Sequence, residues 1–459
     1  MAKVAGREIR DAKVAVVGMA KSGMAAVDLL LREGARPVAI DQKPIENLGP
    51  AAQFLRERAV DFRLQTDDCC NGFDLVVVSP GVPFHVTPLR AARQTGIPVI
   101  GELELASYFL KGRILAITGS NGKTTTTALA YHILAQAGIP AQLGGNIGTP
   151  VCTLVASSRP GQWNVLEVSS FQLETISNFR ADIAVALNVT PDHLDRHGTM
   201  EAYEAAKGRL FETQQPHQFA ILNADDPVCV RYASLTRGRA LWFSMTRAVT
   251  PGIWIEEEKI YFDERLAMPA AEIPLRGRHN VANVMAAVAA ARLAGADLDR
   301  IVAAVKSFPG VEHRLEFIRS WRGVDWYNDS KATNVDAALK AIDAFAGGLW
   351  VILGGKDKDG DYRPLGLALR RKARGVLLIG AAADKIAGHL SEAAPELPLI
   401  PCGTLPAAVE YASRHASPGD TVLLSPACAS FDQFENFEHR GQVFKHAVAT
   451  LPDETRSSA

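Results

Sequence analysis

Twice within its first 125 residues the chain runs a short apolar stretch into a glycine-bearing turn and then a helix, and this repeated junction constrains the fold more than any other feature. Residues 13–18 read as a buried strand. The turn Gly18-Met19-Ala20-Lys21-Ser22-Gly23 follows, then an Ala- and Leu-rich helix through Glu33 and an apolar run over 37–40 that ends in Asp41. That order opens a dinucleotide-type fold, in which a helix amino terminus faces a diphosphate. Residues 75–78 form a further short strand running into Ser79-Pro80-Gly81. Ligands of open parallel sheets collect at the carboxyl ends of strands, so this turn borders the same crevice.

The second junction is stricter. Residues 114–118 lead into Gly119-Ser120-Asn121-Gly122-Lys123-Thr124-Thr125, with a helix expected over 126–137. Backbone N–H groups of such a turn form a nest for phosphates, the lysine places charge at the outer phosphates, and a hydroxyl can hold magnesium. Only Ser120 and Asn121 separate the two glycines, so the loop is tighter than the common GxxxxGKS/T form. A surface loop can contain such a tripeptide by chance, but the strand before it and the helix after it favour nucleotide binding.

Two sheet-opening junctions need two sheets, and 459 residues exceed a single core. Apolar runs such as 183–189 alternate with helical stretches such as 281–293 until Phe308-Pro309-Gly310 breaks the pattern. Strands over 349–353, 375–379 and 421–424, each followed by a loop rich in Gly, Ser or charge, read as a third unit. The expected fold is α/β with three domains: an N-terminal Rossmann-like domain over 1–103, a central P-loop ATPase-like domain over 104–310, and a C-terminal Rossmann-like domain over 311–459. The tail, 453–459, is expected to fray.

Lys and Arg (49) nearly balance Asp and Glu (50), which leaves no basic field for nucleic acid or an anionic membrane. The six cysteines are scattered without a CxxC pair, which suits reduced thiols and no zinc site. The first residues lack the pattern of a signal peptide, and no long apolar run follows, so a cytoplasmic location is expected.

Glu167 ends the apolar stretch 164–166, where it reads either as a solvated cap or as a magnesium ligand facing the phosphate loop. The segment Asn188-Val189-Thr190-Pro191-Asp192-His193-Leu194-Asp195-Arg196-His197 also starts where a strand stops, and His193 is its candidate metal ligand. His197 and Asp195 read equally well as loop hydrogen-bonding partners. Lys207, on spacing alone, reads as an exposed helix lysine.

The motifs GMAKSG, SPGVP, TGSNGKTT, GGNIG, EVSSFQLE, NVTPDHLDRH, RGRHNVANV, HRLE, NDSKATN, GGKDKD and SPACASFDQFENFEHRG stand in order along the chain. The series resembles the Mur ligases, above all the branch that adds D-glutamate to the peptidoglycan precursor. The resemblance implies ATP-dependent ligation of D-glutamate to UDP-N-acetylmuramoyl-L-alanine through an acyl phosphate, by a monomeric enzyme with no nucleic-acid or membrane partner. It also implies that Lys123 and Thr124 contact the ATP phosphates and magnesium, that Asn146 and Asn283 lie around the adenine, and that Asn280 handles nucleotide or transferred phosphate. Arg314 is implied at the γ-phosphate and Asp329 at the ribose. Lys331, Thr333, Lys358, Ser430 and Phe437 are implied around D-glutamate, whose two carboxylates suit two lysines and two hydroxyls. Ser22 and Gly23 fall at the UDP diphosphate, with Asp41, Gln42 and Ser79 near the uridine. Lys207 falls where many Mur ligases carry a carbamylated lysine, which with Glu167 and His193 would hold a second Mg2+.

Other readings are a different Mur-type or folylpolyglutamate-type amide ligase, an NAD-dependent dehydrogenase, or a non-catalytic nucleotide-binding scaffold. Ala20 occupies the place of the middle glycine of GxGxxG, and its methyl hinders a pyrophosphate, which disfavours NAD or FAD more than UDP. A scaffold gives no reason to keep Glu167, His193, Lys207 and Lys358 together.

Overall fold

The computed structural model describes residues 3–263 and 265–452, so the tail expected to fray lies outside the described residues. The first sheet is wholly parallel, in the order Asp61–Leu64, Arg36–Asp41, Lys13–Val17, Leu75–Val78, Val99–Gly101. Its central strands are apolar at nearly every position because helices cover both faces of a parallel sheet. The chain moves outward from Lys13–Val17 on one side and then returns to pair Leu75–Val78 on the other. The switch point of the sheet therefore lies between these two strands. The helix Lys21–Arg32 can pack tightly there because Gly23 has no side chain: a Cβ would stand 1.9 Å from the carbonyl oxygen of Gly18.

The second sheet has nine strands, with Arg113–Thr118 between Trp163–Glu167 and Ile183–Ala186 in its parallel part. Its far edge is an antiparallel meander of Gly252–Glu256, Lys259–Phe262 and Arg265–Pro269. The strand expected over 183–189 stops at Ala186, because residues 188–190 turn away to bond the phosphate loop. The helix after that loop begins at Lys123, earlier than expected, and runs to Gln136.

Residues of the first two sheets belong to one compact unit, Met1–Ile273 with Ala282–Phe308. A short helix, Glu102–Ser107, connects the sheets within it, and its Glu104 carboxylate is buried against the backbone N–H groups of Ser177, Asn178 and Phe179. None of the six cysteines is in a disulfide. Among the described residues no helix is long and apolar enough to cross a membrane.

The other unit, Pro274–Val281 with Pro309–Ala459, holds a six-stranded sheet. Its order is Glu316–Trp321, Val324–Asn328, Thr421–Leu424, Leu349–Gly354, Ala373–Ile379, Leu399–Gly403. Only the Glu316–Trp321 edge is antiparallel. The molecule is thus α/β throughout, with a Rossmann-like sheet, a P-loop sheet and a second Rossmann-like sheet in chain order.

Candidate functional site

At the switch point of the first sheet a cavity of about 150 Å³ is bounded by Gly18, Asp41, Gln42, Gly81 and Val82, among others. Asp41 shapes it: one carboxylate oxygen accepts the Met19 N–H at 2.7 Å and the other the Lys43 N–H at 3.0 Å. Ser79 is buried and donates its hydroxyl to the Gly18 carbonyl at 2.7 Å. Ser22 and Gly23 sit in the first turn of the helix Lys21–Arg32, where backbone N–H groups favour an anion. All five residues read as UDP-side from sequence therefore gather at one sheet edge.

The phosphate loop follows the strand Arg113–Thr118, and the register pairs Ile117 with Glu167 and Thr118 with Ala186. Gly122 caps the following helix at φ +84°, and a Cβ there would meet the Asn283 side-chain oxygen at 2.2 Å. Asn283 thus packs directly on the loop. A second strand end buckles to it: Ser120 N–H donates to the Asn188 carbonyl at 2.8 Å, and Asn121 N–H to the Asn188 side chain at 2.9 Å. The Ser120 hydroxyl donates to the Thr190 carbonyl at 2.9 Å. Lys123 is folded onto its own loop, with Nζ 2.9 Å from the carbonyl oxygens of both Gly119 and Ser120.

Lys207 corrects the sequence expectation of an exposed side chain. It is 1% exposed, on the helix Met200–Glu212, and its Nζ donates to the Gly119 carbonyl at 2.8 Å. Burial first, and then the Lys123 charge, hold its amine well below the usual lysine range. Four residues earlier on the same helix face, the Tyr203 hydroxyl lies 3.0 Å from Ser120 Oγ, and burial pushes that phenol up to about 12.

Glu167 is 2% exposed. Its Oε1 accepts from the Asn146 side chain at 2.9 Å, while the Asn146 N–H donates to its carbonyl, also at 2.9 Å. Asn146 is thereby fixed beside a candidate metal ligand. His193 stands at the left-handed cap (φ +52°) of the short helix Leu194–His197, half exposed, 4.8 Å edge-on to Phe171 and 3.6 Å from Asp192. Glu167 Oε2 and Thr125 Oγ1 are buried without a hydrogen-bond partner among the described residues. Hard oxygens with unused lone pairs beside a phosphate loop are the donors Mg2+ takes, so the residues present fit that ion.

In the C-terminal unit, the strand ends Asn328 and Leu424 lie in register with Ile352, two residues before the end of Leu349–Gly354. The loops after them carry Lys331 and Thr333, Ser430, and Lys358. They are tied together by Ala427 N–H to the Ala332 carbonyl at 2.9 Å and Lys356 N–H to the Ala429 carbonyl at 2.8 Å. Lys331 Nζ lies 5.4 Å from the centre of the Phe437 ring. Ser430 is buried, whereas Lys358 is exposed. Arg314 stands between two left-handed residues, His313 (φ +63°) and Leu315 (φ +42°). Asp329 is buried, accepting from the Leu315 N–H at 3.1 Å and the Ser425 hydroxyl at 3.0 Å, and burial pushes its carboxyl up to about 7 against the pull of Arg314. Asn280 donates to the Arg276 carbonyl at 2.7 Å near the start of the helix Arg278–Leu293. Glu312, His313 and Glu316 have metal-ligand spacing, but Lys445 bonds both carboxylates, at 2.9 and 2.6 Å, which makes them a closed ion-pair network.

Sequence reasoning gave no role to Tyr203, Asn188, Arg196 or Arg440. The first lies four residues before Lys207, a spacing that signals a shared face. Arg440 carries no such signal: it is fully buried and binds the Ser330 carbonyl at 2.8 Å, the Ser330 hydroxyl at 3.0 Å and the Cys428 carbonyl at 3.2 Å.

Three family models match in succession: a Mur ligase MurD-like N-terminal domain over residues 12–101, a Mur ligase middle domain over 117–291, and a Mur ligase glutamate ligase domain over 313–428. The UDP-N-acetylmuramoylalanine--D-glutamate ligase of Solibacter usitatus is 57% identical, over 97% of this chain and 99% of that protein. The ligase of the same name from Acidobacterium capsulatum is 52% identical, over 96% and 97%. Among solved structures, the MurF ligase of Thermotoga maritima in complex with ADP aligns with a TM-score of 0.61 at 17% identity, over 96% of each chain. The UDP-N-acetylmuramate-alanine ligase of the same organism aligns with a TM-score of 0.60 at 18% identity, over 95% of this chain and 99% of that one. At such identities these two speak to the fold alone.

Proposed function

The chain belongs to the Mur ligase family, and from that premise we infer that it joins D-glutamate to UDP-N-acetylmuramoyl-L-alanine, converting ATP to ADP and phosphate, in peptidoglycan precursor synthesis. The observation that carries the reading is more than half identity, along nearly the full length, to ligases so named. The phosphate loop and the switch-point cavity, both in one compact unit, support it.

The L-alanyl carboxylate attacks the γ-phosphorus of ATP, the bond to ADP breaks, and an acyl phosphate forms. The amine of D-glutamate then adds to the acyl carbon, loses a proton, and phosphate leaves as the amide forms. We assign the phosphates to Gly119, Ser120, Asn121, Gly122, Lys123, Thr124 and Thr125: Asn188 holds the Ser120 and Asn121 N–H groups and so fixes the loop's shape, while the lysine and the start of the helix Lys123–Gln136 meet negative charge as it develops. Asn146, Asn280, Asn283, Arg314 and Asp329 are assigned to the nucleotide, and Lys331, Thr333, Lys358, Ser430 and Phe437 to D-glutamate. Ser22, Gly23, Asp41, Gln42 and Ser79 are assigned to the UDP group.

Thr124, Glu167, His193 and a carbamylated Lys207 are the residues that would hold Mg2+. Magnesium supplies charge neutralisation between the phosphates and the attacking carboxylate. We place the domain boundaries after residues 103 and 310, and propose a cytoplasmic monomer.

The test is phosphate release from ATP with UDP-N-acetylmuramoyl-L-alanine, offering D-glutamate, L-glutamate, L-alanine or a diamino acid. Release that requires D-glutamate and disappears in Lys123→Ala supports the reading. Release with another amino acid moves the chain to a sister activity.

A further inference from the structure

Arg196 lies in the motif that carries His193, and neither the phosphate loop nor the metal ligands make use of it. One of its terminal nitrogens donates to the Val82 carbonyl at 3.0 Å and to Glu174 Oε2 at 2.8 Å. Val82 is a wall of the switch-point cavity, and its methyl group packs against Gly18, 2.7 Å from where a Cβ would be. Glu174 is held in turn: its other oxygen lies 3.2 Å from His197 Nδ1, and His197 Nε2 is 3.0 Å from Ser170 Oγ.

The Arg196 side chain is only 9% exposed, and its guanidinium lies 4.9 Å over the ring of Phe171, the ring that His193 meets edge-on. A partly buried, charge-assisted pair is geometrically exacting. Here it joins a loop of the first sheet to the His193 loop of the second, across 114 residues of sequence.

We propose that Arg196, clamped by Glu174, is a positioning residue for the UDP-linked substrate. It fixes the 79–83 turn relative to the His193 loop, so that a substrate gripped at its UDP end presents its distant carboxylate at the phosphate loop. This rests on the ligase reading above. No group of Arg196 touches the reacting atoms, and its effect passes through the Val82 carbonyl.

The experiment compares wild type with Arg196→Met, Arg196→Lys and Glu174→Gln, measuring KM for each of the three substrates separately. Calorimetric binding of UDP-N-acetylmuramoyl-L-alanine in the absence of ATP is measured in parallel. Loss of a buried charge-assisted bond weakens the affected step by about tenfold to a hundredfold. The expected result is a rise of that order in KM for the UDP-linked substrate in Arg196→Met, with KM for ATP unchanged and partial recovery in Arg196→Lys. Equal changes in all three KM values, or an unchanged KM for the UDP-linked substrate, overturn the proposal. Should Arg196→Met fail to fold, Glu174→Gln, which keeps an acceptor but removes the charge, carries the same selective expectation. If wild type itself releases no phosphate with these substrates, the ligase reading fails; if wild type is active and the variants show no selective effect, only the positioning role fails.

Discussion

Lys123 and Lys207 direct their side-chain nitrogens at one acceptor, the carbonyl oxygen of Gly119, at 2.9 and 2.8 Å. Two nitrogens so placed lie within about 6 Å of each other, where like charges repel by on the order of 3 kcal/mol at an effective dielectric near 20. The phosphate-loop lysine is the more exposed of the two, and burial together with the Lys123 charge lowers the Lys207 amine well below the usual lysine range, which favours its neutral form.

A neutral amine can add to carbon dioxide with loss of a proton, and a carbamate so formed on Lys207 would replace the repulsion with attraction to Lys123. Lys207→Ala is expected to lower kcat by at least about 100-fold, as loss of a metal-site residue does. Acetate should restore part of the rate by lending the missing carboxylate. Bicarbonate depletion of wild type should lower activity reversibly. A fully active Lys207→Ala enzyme would remove the carbamate from the mechanism.

Asn146 grips Glu167 through both side chain and backbone. Removing a group that orients a metal ligand costs about tenfold to a hundredfold in metal affinity. Asn146→Ala is therefore expected to raise the Mg2+ concentration needed for half-maximal activity by about tenfold, with KM for D-glutamate unchanged. Binding of ADP without magnesium separates this from an adenine contact: a large loss there would favour the adenine role implied by resemblance.

Gly122 combines a left-handed backbone with the Asn283 side chain at the place of a Cβ. In Gly122→Ala the strained φ costs roughly 1–2 kcal/mol, and the clash displaces Asn283 or the loop. The expected outcome is a loss of ATP affinity larger than the loss of thermal stability. Adding Asn283→Ala relieves the clash but also removes a residue assigned to the nucleotide, so the double variant is expected to lose less ATP affinity than the sum of the two single losses. Strictly additive losses in a double-mutant cycle would show that Asn283 does not limit the loop.

The parallel sheets were legible because strands buried on both faces read as apolar runs: 13–18, 75–78, 349–353 and 421–424 each needed only composition and the turn that followed. Lys207 was not legible, since its burial comes from a helix packed against a loop 88 residues away, and no local spacing encodes that contact. For a similar reason the strand ends at Ala186 although the apolar run continues to Val189. Asn188 and Thr190 leave the sheet because the phosphate loop offers them better partners. The antiparallel edge Glu316–Trp321 is half-buried or exposed at every residue before Trp321, and its charged and polar residues leave no apolar run to find.

Glu102 offers a test on the fold itself. Its carboxyl is wholly buried, one oxygen accepts the Cys152 N–H at 2.6 Å, and the other has no partner among the described residues. Burial pushes it up to about 7 from an ordinary value of 4.5. A raised carboxyl favours the folded state in its protonated form, so this contribution is complete below about pH 4.5 and is lost as pH rises through 7. The loss amounts to about 3 kcal/mol at most. Glu102→Gln keeps the acceptor for Cys152 and cannot ionise. It is expected to raise the melting temperature by several degrees at pH 8 and to leave it nearly unchanged at pH 4.5. An equal shift at both pH values would mean that packing at this site, rather than ionisation, sets the difference.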